Sequence, residues 1–139
     1  MAFVRFFSED TDFKLRHPRK TSLWLNQAAQ KEKKKISSLS IIFTSDDFLF
    51  DLNHTFLHHN SLTDVITFDL ADGGDIDGEI YISLDRVKEN AARFNSSFDE
   101  ELHRVMIHGL LHLLGYFDKT KPQKAQIRKK EEAYLSLRW

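Results

Sequence analysis

With 139 residues, 41% of them hydrophobic and 29% charged, the chain has enough apolar content for one globular domain over residues 1–139, and no second domain is expected. The formal charge of -1, with seven histidines counted as neutral, neither demands nor forbids a nucleic-acid partner, so any such partner must be held by a local patch. Cysteine is absent, which excludes disulfides and thiolate ligation and leaves nitrogen and oxygen as the only donors for a metal.

Taken in chain order, Ala2 to Phe7 is a short apolar run suited to a strand. Glu9, Asp10 and Asp12 follow before an apolar segment of signal-peptide length can form, and no run approaches membrane-spanning length, so a soluble cytoplasmic protein is expected. His17 to Lys20 leads into TSLWLNQAAQKEKKK, where Leu23, Trp24, Gln27 and Ala28 keep helical spacing and the lysines face solvent. Leu39 to Thr44 (LSIIFT) has the composition of a buried strand, and Ser45, Asp46 and Asp47 open a helix through Leu57. Asp64 to Leu70 alternates like a strand, ADGGDIDG turns, and Glu79 to Ser83 is a second strand that pairs with the first as a hairpin. Ser83 caps a helix from Leu84 to Phe94, and Ser97 with Glu100 forms a capping box for a helix from Phe98 to Leu114. The apolar residues of that helix spread around most of its circumference, Leu113 and Leu114 included, which predicts that it is largely buried. Thr120, Pro122 and Gln123 start a final charged helix from about Lys121 to Leu137. This order predicts an α/β or α+β sandwich with a small mixed β-sheet, of which α+β, with helices covering the sheet, is the reading preferred.

The chemistry concentrates at the end of the buried helix. His108 and His112, four residues apart, fall on one helical face, close enough to ligate one ion. Gly115 tolerates the left-handed conformation that ends helices, so the chain turns back and brings Asp118 toward the same ion. Two imidazoles in so apolar a stretch need partners, since a buried unpaired polar group costs on the order of 1 to 3 kcal/mol. Three protein ligands leave a fourth tetrahedral position for water, the mark of catalytic zinc, although the same donors also suit iron, nickel or cobalt. The spacing resembles the metzincin motif, but Gly109 stands where those peptidases carry the glutamate base. The general base is therefore unassigned; Asp64 is a candidate, with a turn cap as its alternative role.

Basic residues cluster at Lys31, Lys33, Lys34 and Lys35, read as a solvated helix face, and again at Lys119, Lys121, Lys124 and Arg128 to Lys130. The second group begins right after the metal motif, and Lys119 and Lys121 are the candidates for holding a phosphate backbone beside the ion. His58 and His59 fall in an expected loop, from which either could reach a cleft.

The segment HGLLHLLGYFD, preceded by ELHRVMI, resembles the signature of the YbeY family of ribosomal RNA maturation factors, which are metal-dependent endoribonucleases. Further matches are LNHTFL, LTDVITF and GDIDGEIYIS upstream, with Ile127 and Glu131 downstream, so the resemblance runs from about Leu52 to Glu131. It implies that His108 and His112 are zinc ligands, and it puts Asp118 where the family most often has histidine. Leu57 follows Phe56 where family members usually have an arginine proposed to engage RNA. The implied activity is zinc-dependent endonucleolytic cleavage of single-stranded RNA in ribosomal RNA maturation and ribosome quality control, with ribosomal RNA and ribosome-associated proteins as partners. Three other readings compete with it: a metal-containing ribosome-assembly factor with little nuclease activity, a metalloprotease, and a protein whose metal is purely structural.

Overall fold

The computed structural model describes residues 2–57 and 63–139, with the side chains of residues 56 and 57 outside that description. His58 and His59 lie outside it. The strands are β1 (Arg5–Ser8), β2 (Ile36–Thr44), β3 (Val65–Asp69) and β4 (Ile76–Ser83). The helices are α1 (Pro18–Lys31), α2 (Asp46–Leu57), α3 (Leu84–Arg93), α4 (Phe98–Leu113) and α5 (Lys121–Leu135). The sheet order is β1-β2-β4-β3, with β1 and β4 both parallel to β2 and β3 antiparallel to β4. This is a mixed sheet of the α+β kind, and its β3–β4 hairpin is the one the turn chemistry predicted.

The sheet presents Leu39, Ile41 and Phe43 from β2 and Ile76, Ile80 and Ile82 from β4 to one core shared with buried residues of α1, α3, α4 and α5; α4 packs against β3 and β4, and α5 packs on α4. A register shift between Ile36 and Ser38 lets Ile36 join the same face despite its odd spacing from Leu39. On α4, Leu102, Val105, Met106, Ile107, Leu110 and Leu111 are buried. Gly109 is there because α4 lies hard against β4: a Cβ at this position would stand 2.8 Å from Ile80 Cγ2.

Side-chain caps set the starts of α2, α3, α4 and α5. Ser45 Oγ accepts from Phe48 N, Ser83 Oγ from Arg86 N, and Ser97 Oγ from Glu100 N. Thr120 and Gln123 make both halves of a capping box. Several expectations need correction. β1 begins at Arg5, not Ala2, because the Val4 amide leaves the ladder to donate to Ser22 Oγ. Leu23 and Gln27 are exposed, since α1 instead turns Thr21, Ser22, Trp24, Leu25, Asn26, Ala28 and Ala29 inward. α4 ends at Leu113, and Leu113 and Leu114 are only half-buried where the chain begins to turn.

Candidate metal centre

Gly115, at φ 101°, ends α4 with paired bonds: its own N–H donates to His112 O, and Tyr116 N–H donates to Leu111 O. That geometry reverses the chain within one turn. The Tyr116 carbonyl then faces back to accept from His112 Nδ1 at 3.0 Å, and Asp118 reaches the ends of both imidazoles. Tyr116 itself is fixed by its hydroxyl, which donates to Glu32 Oε1 at 2.6 Å just past the end of α1.

A carbonyl can only accept, so the His112 proton sits on Nδ1 and the Nε2 lone pair points inward. His108 is oriented the same way by a different element: its Nδ1 lies 2.5 Å from Glu131 Oε2, a buried carboxylate on α5. Arg104 holds that glutamate at 3.5 Å and also pairs with Glu101 and Glu132. The two inward Nε2 atoms are 2.9 Å apart, and each lies 3.4 Å from Asp118 Oδ2. With both rings in these tautomers, three electron-pair donors face one another, an arrangement suited to a cation. Ligands about 2.0 to 2.1 Å from a tetrahedral ion stand about 3.3 Å from one another, close to the spacing found. His108, His112 and Asp118 therefore form a cluster that could hold one metal ion.

Burial works against protonation of His108, but the Glu131 carboxylate at Nδ1, with Asp64 and Asp118 nearby, outweighs it and lifts its pKa above the ordinary value. Asp64 precedes β3 and lines the same cleft as His108; burial pushes its carboxyl up, against the opposing field of His108. Its Oδ2 accepts from Asn90 Nδ2 at 3.3 Å. The cleft, of about 400 Å³, also takes Asp118, Glu131, Arg104, Lys124 and Arg128 into its walls. Lys119 and Lys121 are exposed before and at the start of α5, and neither lines the cleft; Lys124 and Arg128, farther along the helix, do.

The orienting role of Glu131 was not read from the sequence, although a signal existed. Glu131 shares a helical face with Ile127 and Tyr134, so an acid sits on the buried stripe of an otherwise charged helix. The Tyr116 carbonyl carried no such signal, because a backbone group has no residue type. The crowding at Gly109 also removes support for a peptidase, since a glutamate there would drive into Ile80 of β4.

The model of the family described as Endoribonuclease YbeY matches residues 5–137. An endoribonuclease YbeY of Cytophaga hutchinsonii is 52% identical, over 97% of this chain and 95% of its own. Another, of Amoebophilus asiaticus, is 46% identical over 96% and 92%. A solution structure of a Thermotoga maritima protein is similar with a TM-score of 0.68 at 32% identity, covering 96% of this chain and 87% of that one. With a family model across nearly its whole length, relatives this close, and the paired histidines at the turned end of α4, the chain belongs to the YbeY endoribonuclease family.

Proposed function

We propose that this protein is a zinc-dependent endoribonuclease that cleaves single-stranded RNA in ribosomal RNA maturation and ribosome quality control. It works as one domain over residues 1–139, in the cytoplasm, beside ribosome-associated proteins. The observation that carries the reading is the trio of inward-facing donors on His108, His112 and Asp118, which could hold one metal ion and of which His108 and Asp118 line the cleft. Two imidazoles and one carboxylate favour zinc over calcium or magnesium. When bound, such an ion would supply a Lewis acid for a phosphoryl oxygen and would make it easier for the attacking water to lose a proton.

The side chains of this chain do the rest. Glu131 and the Tyr116 carbonyl hold the Nδ1 protons in place, so both rings keep the tautomer that presents Nε2. Asp64, in the cleft beside His108 and outside the donor trio, takes the proton released by the attacking water. Lys124 and Arg128 bind the phosphate backbone within the cleft, while Lys119 and Lys121 extend that attraction along the surface. Protein stripped by a chelator is expected to cleave no single-stranded ribosomal RNA fragment, and zinc is expected to restore cleavage while a duplex of the same sequence stays intact. Equal cleavage before and after stripping would overturn the reading. One observation favours the assembly-factor alternative: Leu57 occupies the position of the arginine proposed to engage RNA. That alternative predicts that His108→Ala loses the ion without altering ribosomal RNA processing.

A further inference from the structure

We propose that the cleft beside the metal centre is a nucleobase subsite, in which one unstacked base of a single-stranded RNA lies on the ring of Phe94 and the Asn95 carboxamide hydrogen-bonds its edge. This rests on the endoribonuclease reading and deepens it, by assigning one part of the RNA to one part of the cleft.

Phe94 caps the C-terminus of α3 and is 58% exposed. Single exposed apolar side chains are ordinary on protein surfaces, and Phe3, Phe7 and Phe117 are others here. Phe94 differs from these three in its place: it lines the cleft that also holds His108 and Asp118, and they do not. The next residue, Asn95, lines the same cleft and has φ 55°, the left-handed conformation that asparagine tolerates better than most residues. Among the described residues its carboxamide has no hydrogen-bond partner. An exposed ring followed by an uncommitted amide offers a π-face and a donor–acceptor pair. Those are the two features that hold splayed bases of single-stranded RNA.

The charges of the cleft sort base from backbone. Asp64, Glu100, Glu101 and Glu131 all line it, and Arg104 is already committed to Glu101, Glu131 and Glu132. A phosphate entering this wall would meet carboxylates, whereas a neutral base would not. Lys124 and Arg128, exposed on α5, line the cleft and are available for the flanking phosphates; among the described residues the ion pair of Arg128 is a 3.9 Å exposed one with Glu132. The strand therefore turns one base inward and keeps its backbone along α5.

The test uses zinc-loaded full-length protein and short single-stranded oligoribonucleotides, each with an abasic site at one position around the cleavage point, with kcat/KM as readout. Wild type is expected to lose about tenfold when the abasic site falls at one particular position. Phe94→Ala should lose about tenfold on intact RNA and become indifferent to the missing base there, while Phe94→Trp keeps the wild-type pattern. Asn95→Ala should change base preference at that position alone. If Phe94→Ala lowers Tm, Phe94→Leu, which keeps apolar surface without a π-face, replaces it in the comparison. An unchanged kcat/KM on intact RNA, or the same sensitivity to every abasic position in wild type and variant, overturns the subsite and leaves the nuclease reading intact. Wild type that cleaves none of the RNAs overturns both.

Discussion

Glu131 is a carboxylate buried on a charged helix, held by Arg104 and set against His108, whose Nδ1 it meets. Glu131→Gln keeps the size and a polar partner but removes the charge, so metal affinity is expected to fall about 10- to 100-fold by competition with a chromogenic chelator. Unchanged affinity would show that the ring needs no help from α5. Asp64→Asn separates chemistry from binding: the variant should keep its ion and lose about 100-fold or more in RNA cleavage. A variant that cleaves at the wild-type rate would remove Asp64 from the proton-transfer step. At this scale the donor trio was legible in the sequence because a helix places residues i and i+4 together and glycine licenses the return of Asp118. The groups that orient the rings were less so. Glu131 comes from a different helix, and Tyr116 acts through its carbonyl, which any residue type would supply.

The helices show which local signals survive packing. Ser45, Ser83, Ser97 and Thr120 each cap the helix expected of them, since a side-chain oxygen next to free N–H groups is a local bargain that distant residues do not disturb. The inward face of α1 was misread for the opposite reason. Ser22 accepts from Val4 N, and Asn26 donates to Ala2 O as well as to Ser22 O one turn back, so buried polar groups are satisfied by bonds to the N-terminal segment that an apolar count misses. The two glycines of α4 and its cap make different demands that mutation can separate. Gly109→Ala puts a methyl 2.8 Å from Ile80 Cγ2 and forces α4 off β4, at an expected cost of about 1 to 3 kcal/mol in denaturant unfolding. Gly115→Ala meets no atom within 4 Å, so its cost, about 1 to 2 kcal/mol, is backbone strain alone, and the same variant should weaken metal binding by moving Tyr116 and Asp118. A Gly109→Ala protein as stable as wild type would mean that the helix and sheet have slack between them.

At the scale of the molecule, the order of elements and the α+β class followed from periodicity, while the placement of β2 beside β4 did not, because that pairing joins segments separated by α2 and β3. The C-terminal end of the chain contributes a pH dependence to the whole. His103 is buried between Trp24 and Trp139, and Arg138 donates to its Nδ1. Burial, with the Arg138 charge and against the weaker pull of Asp99, lowers its pKa from 6.5 to about 4. Between those values the unfolded chain binds a proton that the folded chain refuses. Stability from this group is therefore complete above pH 6.5 and lost as pH falls toward 4, by about 3 kcal/mol at the bottom of the window. Denaturant unfolding should be steeper in pH for wild type than for His103→Phe between pH 6.5 and 4, and parallel curves would contradict the assignment. The central claim, one cation held by two imidazoles and a returning carboxylate, is tested most directly by elemental analysis of purified wild type, His108→Ala and Asp118→Ala. One equivalent of a transition metal in wild type and little or none in folded variants is predicted; equal metal in all three, or none in wild type after zinc loading, would contradict it.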